Sequence, residues 1–258
     1  MSLLVLTNIR KSFGAVDVLH GVDLELAAGE VIGLVGDNGA GKSTLMKMIT
    51  GMYHADSGSI TLEGSSILQL DPGARRALGI EMIYQDLALA KQQDVASNIF
   101  LGREPVRKFL GVFPGFVDKA EMDRRAAEMI RRLGANLPSI NRSVGSFSGG
   151  QQQTVAIARA LTFNPKLVIM DEPTAALAVR EVQGVLDLIR RLKSEGIAVI
   201  LISHRLNDVL NVTDRIAVLR HGRVVANLVT AQTNMNEVVA AIVGGGDMAA
   251  AAAHESRG

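Results

Sequence analysis

A glycine-rich turn, GDNGAGKS (36–43), stands between a short apolar run and a helical pattern, and it constrains the fold of the chain strongly. The run at 31–35 is apolar and β-branched, which indicates a buried strand, and the apolar residues after the turn have helical spacing. Its glycines allow backbone N–H groups to curve around an anion, and the following helix adds its positive end. The stretch therefore predicts a phosphate-binding loop in an α/β fold.

The residues of this loop are candidate ligands for a nucleotide. The candidates are Gly36, Asp37, Asn38, Gly39, Ala40, Gly41, Lys42, Ser43 and Thr44. We expect Lys42 to reach the β- and γ-phosphates, Ser43 to bind Mg²⁺ and Thr44 to help hold the α-phosphate.

Composition excludes several other functions. The 27 Lys and Arg residues against 26 Asp and Glu residues leave a net charge of +1, which gives no electrostatic basis for bulk nucleic-acid binding. The absence of cysteine excludes disulfides and thiolate chemistry. The apolar run IAVILI (197–202) is too short to cross a bilayer, and the N-terminus lacks the pattern of a signal peptide. We expect a soluble protein that reaches a membrane only through a partner.

The pattern along the chain predicts a mostly parallel sheet covered by helices. Runs at 31–35, 166–170 and 197–202 read as buried strands, and the last two are separated by a helical pattern at 179–195 that stops at Gly196. Such alternation of strand and helix produces parallel pairing.

Other segments depart from this pattern. Residues 1–30 and about 58–84 alternate with period two and turn at glycines, which predicts antiparallel pieces. Residues of about 90–160 predict a helical insert, in which Asp118 and Glu121 cap a helix that ends at Gly134. A hairpin is expected to turn at His221-Gly222.

The predicted domain covers residues 1–243, and the Ala-rich tail, 244–258, is expected to be disordered.

Acidic and polar residues follow the predicted core strands, where α/β sheets bind ligands. Asp171 is a candidate Mg²⁺ ligand, and Glu172 is the natural group to orient and deprotonate an attacking water. His204 follows the next strand and is expected to face the γ-phosphate, although such a histidine can also simply cap a helix or have its hydrogen bonds satisfied within the fold. Gln85 follows a short strand at 80–84 and is a candidate for catalysis and for Mg²⁺.

Two further candidates come from single features. Phe13 is an early aromatic residue that could stack on adenine or belong to the core. SFSGGQQQ (146–153) precedes a helix, so Ser148, Gly149, Gly150 and Gln151 predict a helix N-terminus that could bind an anion. An ordinary N-cap would explain Ser148 but not two consecutive glycines.

Taken in order, GDNGAGKS, MIYQD, FSGGQ, LVIMDEP and ISHR resemble the ATP-binding subunits of ABC transporters. The resemblance covers about residues 3–243. It implies a RecA-like P-loop ATPase core with an antiparallel β lobe and an inserted helical lobe, and ATP and Mg²⁺ as cofactors. It also implies a head-to-tail homodimer, in which residues 148–151 cap the ATP that is held by the other copy.

The stretches at 77–105 and 170–225 resemble the bacterial group that imports ribose-, fructose- and xylose-type sugars. That resemblance implies a membrane permease, an external sugar-binding protein and a place on the cytoplasmic face of the plasma membrane. Two departures are Phe147 in place of leucine and Ala178 in place of aspartate. The alternative is a soluble ATPase of the same superfamily in DNA repair or translation, but the chain lacks the coiled-coil insert or the basic linker usual there.

Overall fold

The computed structural model describes residues 2–107, 115–135, 137–175 and 177–244. Within these ranges the chain forms ten strands, in two sheets, and eight α-helices. The strands are β1 (Ser2–Phe13), β2 (Val16–Ala27), β3 (Val31–Val35), β4 (Ser57–Leu62), β5 (Ser65–Ser66), β6 (Ile80–Ile83), β7 (Leu167–Asp171), β8 (Ala198–Ile202), β9 (Arg215–Arg220) and β10 (Arg223–Val229). The helices are α1 (Lys42–Ile49), α2 (Pro72–Ala77), α3 (Val95–Phe100), α4 (Lys119–Arg132), α5 (Gly149–Leu161), α6 (Val179–Ser194), α7 (Leu206–Val212) and α8 (Met235–Val243).

The first sheet is antiparallel and has the strand order β2-β1-β4-β5. Along β1, Leu4 and Leu6 are buried, and the register then shifts before Ile9, which is also buried. Asn8, at a φ of +50°, lies in this irregularity. Because the bulge adds a residue, Ile9 returns to the core face and the strand keeps one apolar side. The predicted antiparallel lobe is confirmed for β1, β2, β4 and β5.

The second sheet has the order β10-β9-β3-β8-β7-β6 and is parallel except for the β9–β10 pair. All five residues of β3 and all five of β8 are buried. The strands predicted at 166–170 and 197–202 are confirmed, although each starts one residue later. The parallel order brings the carboxyl ends of β3, β6, β7 and β8 to one edge of the sheet.

One part of the predicted antiparallel segment was wrong. Residues 80–83 form β6, which pairs in parallel with β7 at the edge of the second sheet. The strand has only four residues, and only Met82 among them is not fully buried. So short a run shows no period, and its hydrogen-bonding partner comes from a strand more than 80 residues away.

The second sheet separates two apolar clusters because successive side chains of a strand point to opposite faces. Ile32, Leu34 and Ile200 pack with α1 and the antiparallel sheet. Val31 and Val199 pack with the helices of the insert and with α6. The phosphate-loop helix and the helical insert therefore lie on opposite faces of the same sheet.

The helical insert contains α3, α4 and α5. Asp118 caps α4 by accepting a hydrogen bond from the Glu121 N–H, and Gly134 follows the helix at a φ of +65°. The cap and the end predicted for this helix are confirmed. Asp94 caps α3 in the same way, through the Ser97 N–H at 2.7 Å.

The hairpin prediction is also confirmed, because His221 and Gly222 join β9 to β10 and both have positive φ.

Among the residues given above, no helix has both the length and the apolar character needed to cross a membrane. The predicted tail lies outside the described residues except for Gly244.

Candidate functional site

The glycine-rich loop connects β3 to α1 at the carboxyl edge of the second sheet. A Cβ atom on Gly36 would lie 2.0 Å from the Leu219 carbonyl oxygen, and Gly36 has a φ of +147°. Only glycine fits there. At Gly39, also at positive φ, a Cβ would meet nothing within 4 Å. The loop is therefore held by close backbone packing at its start and is open at its centre.

Lys42 is the first residue of α1, and its side chain returns over the loop. Its Nζ donates to the carbonyl oxygens of Gly36, at 2.6 Å, and Asp37, at 2.9 Å. Burial lowers the pKa of Lys42, and the nearby carboxylates of Glu172, Asp37 and Asp171 oppose that shift. The ammonium group is thus fixed where anionic phosphates would meet it.

The other candidates of the loop lie around this ammonium group. Asp37, Asn38, Gly39 and Ser43 are exposed, Gly36 and Thr44 are half-buried, and Ala40 and Gly41 are buried. Since α1 starts directly behind the loop, its first N–H groups lack partners within the helix and can meet an anion.

Asp171 ends β7, and Glu172 follows it at the same sheet edge. Burial raises the pKa of Asp171, and the neighbouring charge of Glu172 raises it further. Glu172 has a φ of +49°, and its N–H donates to the Ile202 carbonyl oxygen at 2.9 Å. A left-handed backbone at a residue other than glycine costs about 1–3 kcal/mol and is enriched at functional sites.

The carboxylate of Glu172 has two different oxygen atoms. Oε1 accepts hydrogen bonds from the His204 N–H at 3.1 Å and lies 2.9 Å from His204 Nδ1. Oε2 is buried and has no partner among the described residues. A buried polar atom without a hydrogen-bond partner calls for an explanation. An ionised carboxylate oxygen can accept a proton from a water molecule. Glu172 therefore has one oxygen held by His204 and one buried oxygen that lacks a hydrogen-bond donor among the described residues.

His204 is brought next to Glu172, but its ring is exposed, with 71% of the side-chain surface accessible. Because Nδ1 faces a carboxylate oxygen, a hydrogen on Nδ1 can be donated to Glu172. His204 does not cap α7, whose N-cap is Arg205, and its contact with Glu172 fits both a catalytic histidine and one that is only satisfied by a hydrogen bond.

Gln85 is exposed, two residues beyond the end of β6. Ile83 pairs with Met170, so Gln85 follows its strand at the same edge at which Asp171 ends the adjacent one.

Phe13 ends β1, is 42% exposed and contacts Tyr53 edge-to-face with 5.2 Å between ring centroids. The alternative of a core phenylalanine was wrong, and stacking on adenine stays a prediction.

The second glycine-rich loop forms the N-terminus of α5, as predicted. The Ser148 hydroxyl accepts from the Gln151 N–H at 3.3 Å, and the Gln151 side chain accepts from the Ser148 N–H at 3.1 Å. A Cβ on Gly150 would lie 2.0 Å from Glu181 Oε1, whereas a Cβ on Gly149 would meet nothing within 4 Å. The N-cap and Glu181 thus account for Ser148 and Gly150, and Gly149 leaves the helix end open.

Three residues near this site escaped the sequence analysis. Thr174 and Asp208 form a buried hydrogen bond at 2.9 Å, and Glu181 accepts from the Ala178 N–H at 3.0 Å. The only signal for Asp208 was its position four residues beyond His204. Glu181 stands three residues beyond Ala178, the spacing of a capping box that lacks its usual first residue.

Comparison with known proteins places this arrangement in a family. Residues 19–175 match the family model described as ABC transporter. The xylose/arabinose import ATP-binding protein XylG of Sulfolobus acidocaldarius is 44% identical over 92% of this chain and 92% of its own. The ribose import ATP-binding protein RbsA of Geobacillus kaustophilus is 45% identical over 92% of this chain and 47% of its own. The chain thus spans about half the length of that ribose relative.

Solved structures agree with this result. A nucleotide-free ATP-binding cassette from an ABC transporter superposes with a TM-score of 0.82 at 31% identity, covering 95% of this chain and 98% of that one. A bacterial ABC transporter cassette solved as a dimer has a TM-score of 0.76 at 26% identity, over 88% and 99%. The alternative of DNA repair or translation is not favoured by these relatives. The chain therefore belongs to the ABC transporter family, among its ATP-binding subunits.

Proposed function

We propose that the chain is the ATP-hydrolysing motor subunit of a monosaccharide importer, and that two copies pair head to tail around two ATP molecules. One observation carries the proposal. The phosphate loop shares a sheet edge with Asp171, Glu172 and His204, whereas the loop at Ser148 opens on a separate cavity of about 530 Å³. None of residues 36–44 is among the described residues that line this cavity. Two anion-binding elements that do not share a cavity in one copy can meet when two copies pair.

The residues at the sheet edge suit ATP and Mg²⁺. The backbone of the loop and Lys42 would hold the phosphates, and Ser43, Gln85 and Asp171 would hold the metal ion. A hydroxyl, an amide and one carboxylate fit Mg²⁺, which keeps several waters and takes phosphate oxygens as ligands. When bound, Mg²⁺ neutralises phosphate charge and favours attack at the γ-phosphorus.

The role we propose for Glu172 is that of general base. Its Oε2 atom is free to take the proton of an attacking water, and its Oε1 atom is held by His204. His204 would thereby orient the carboxylate of Glu172. General bases of this kind contribute about 10²–10⁴-fold to a rate.

The permease would dock in a groove between the edge of the second sheet and the helical insert. The groove has a volume of about 340 Å³ and is lined by residues from both sides, among them Met52, Tyr84, Leu101, Arg103 and Arg159. Met52 and Leu101 are exposed apolar residues, at 48% and 53%. Large exposed apolar residues with charged neighbours are typical of protein interfaces.

Xylose, arabinose and ribose appear in the names of the relatives, and these names support a monosaccharide as the imported solute. Import also requires an external sugar-binding protein, and docking on a permease would place the chain on the cytoplasmic face of the plasma membrane. We infer no role in nucleic-acid binding, because the net charge is +1.

Mixed dimers test the proposed pairing. Lys42→Ala damages the phosphate loop and Ser148→Arg blocks the N-terminus of α5, so each homodimer has two damaged sites. In a mixed dimer, one site combines both damaged loops and the other combines two intact loops. ATP trapped in mixed dimers, selected with two affinity tags, is the measurement.

We expect about one trapped ATP per mixed dimer, since pairing in trans leaves one of the two sites complete. Loops that act within their own chain would leave every site broken. Trapping no greater than in the parent homodimers, with mixed-dimer formation verified, would therefore refute head-to-tail pairing.

A further inference from the structure

Asp208 is a buried carboxylate that the proposed reaction does not use. It lies in the first turn of α7, four residues beyond His204, and is 6% exposed. Its Oδ2 atom accepts a hydrogen bond from the Thr174 hydroxyl at 2.9 Å and lies 3.3 Å from Arg205 Nε. Thr174 is itself 2% exposed. Burying a carboxylate is costly unless partners are supplied, and here both partners come from segments next to the site.

These contacts join the segment of Glu172 to the segment of His204. Arg205 Nη1 donates to the Thr174 carbonyl oxygen at 3.2 Å, so Thr174 is held through its backbone and through its side chain. On the other side, the Glu172 N–H donates to the Ile202 carbonyl oxygen at 2.9 Å. Glu172 thus lies between two attachments to the same neighbouring segment.

These contacts matter because the backbone of Glu172 has an unfavourable conformation. At a φ of +49°, Glu172 has a backbone that a residue other than glycine keeps only when its surroundings enforce it. The strand pair β7–β8 enforces it from the N-terminal side, where Asp171 pairs with Ile202. On the C-terminal side, the Glu172 carbonyl oxygen accepts from the Ala175 N–H at 3.2 Å within the turn, and the contacts of Thr174 with Asp208 and Arg205 tie this turn to the neighbouring segment. Without them, the turn after Glu172 can relax and carry the carboxylate away from His204.

We propose that Asp208 is a positioning residue for hydrolysis, which acts through Thr174 to keep the free oxygen of Glu172 aimed at the attacking water. The inference rests on the role proposed above for Glu172. ATP binding depends instead on the phosphate loop between β3 and α1, which Asp208 does not contact through any hydrogen bond or ion pair of the described residues. Loss of Asp208 should therefore reduce turnover and spare affinity.

Three single variants test this separation. Asp208→Ala removes the acceptor, Thr174→Val removes the donor at nearly constant volume, and Thr174→Ser is the conservative variant that keeps the hydroxyl. We expect the first two to lower kcat about tenfold or more, since small displacements of a catalytic group cost large factors in rate. The Kd for ATP should change less than about twofold, and Thr174→Ser should restore most of the turnover.

The Glu172→Gln background distinguishes positioning from a general loss of structure. If Asp208 acts through Glu172, adding Asp208→Ala or Thr174→Val to Glu172→Gln should not lower the residual turnover further, because the group that they position is already lost. A general structural defect would lower it by the same factor as in the natural sequence. Circular dichroism and thermal melting identify variants that fail to fold, and Thr174→Val then decides in place of Asp208→Ala.

The outcomes separate the two claims. Near-normal kcat in both Asp208→Ala and Thr174→Val, with a slow Glu172→Gln, overturns the positioning role and leaves Glu172 as the base. An equal fall of kcat in both backgrounds overturns it as well. Full turnover in Glu172→Gln itself overturns the role of Glu172, and the positioning role with it.

Discussion

Glu172 combines three features: a left-handed backbone, one oxygen that accepts a hydrogen bond from His204 and one buried oxygen without a partner among the described residues. The left-handed backbone and the buried oxygen without a partner are both unfavourable for stability. Their combination at the sheet edge that carries the phosphate loop is understandable if the carboxylate is kept ready for a reactant.

Glu172→Gln is expected to keep ATP binding and to slow hydrolysis by about 10²-fold or more, because the amide cannot accept the proton of the water. It should also accumulate the ATP-bound dimer. Single-turnover hydrolysis and size-exclusion chromatography with ATP measure the two effects. Near-normal turnover would contradict the assignment.

Asp171→Asn should raise the melting temperature of the nucleotide-free, Mg²⁺-free protein at neutral pH. The native pKa of Asp171 lies above its ordinary value of 3.8, mainly through burial and then through the charge of Glu172. The native state therefore binds the proton more tightly than the unfolded state, and the free energy of unfolding falls as pH rises through the interval between the two pKa values. The variant lacks this loss.

A series of melting curves against pH checks the prediction. The stability advantage of Asp171→Asn should be largest above the native pKa and should shrink as pH falls below the ordinary value of 3.8, where both side chains are neutral. An advantage that stays constant over this range would show that charge is not its cause.

At the scale of elements, the C-terminus of α1 is held by a buried arginine. Arg75, 1% exposed, donates to the carbonyl oxygens of Ile49 at 3.0 Å, Leu68 at 2.9 Å and Leu70 at 3.0 Å, and also to that of Met48. Two of these carbonyls belong to the last turn of α1, whose acceptors have no partners within the helix. Burial lowers the pKa of Arg75. The arginine thus ties the phosphate-loop helix to the segment before α2.

Arg75→Met should lower the free energy of unfolding by about 2–4 kcal/mol, because several buried carbonyl oxygens lose their donors. The neighbouring Arg76 is exposed, so Arg76→Met is the matched control, with an expected change within about 0.5 kcal/mol. Urea denaturation of both variants measures the difference. Equal stability of the two would contradict the capping role of Arg75.

In the molecule as a whole, the carboxyl edge of the second sheet and the helical insert carry different functional groups. The carboxyl edge carries the groups proposed to meet the phosphates, whereas the N-terminus of α5 belongs to the insert and the groove at Leu101 lies between the insert and β6. A rigid connection between these parts would let a change at the nucleotide reach a docked partner. The contacts between Arg132 and Glu195, at 2.5 Å, and between Arg191 and the Arg132 carbonyl oxygen, at 2.8 Å, join α4 to the end of α6.

Leu101→Glu should prevent co-purification with the permease while leaving ATP binding unchanged. A charge placed in an apolar contact must be desolvated without a partner when the interface forms. Val229→Glu is the control, since Val229 is an exposed apolar residue, at 43%, on β10 and outside the groove. Pull-down from solubilised membranes compares the two. Retention of the permease by Leu101→Glu would place the docking surface elsewhere.

Features with local causes could be predicted from the sequence. The phosphate loop, the strands at its sides, the cap of α4 at Asp118 and the N-terminus at Ser148 follow from apolar spacing, glycine and hydrogen bonds within a few residues. The resemblance to a family of ATPases then connected these pieces. The roles of Glu172, His204, Gln85 and Ser148 stay predictions, although the structure brings Glu172 and His204 into contact.

Features whose partners are distant along the chain could not be predicted before the folded structure was known. The sheet to which β6 belongs could not be predicted from its four residues, because its parallel partner is the distant strand β7. From the sequence, Arg75 would be assigned to the surface. In the structure it is buried because the carbonyl oxygens of residues 48, 49, 68 and 70 surround its guanidinium group. Thr174 and Asp208 are 34 residues apart, and no local sequence pattern at either residue predicts their hydrogen bond. Such contacts depend on how strands and helices pack, which no local pattern encodes.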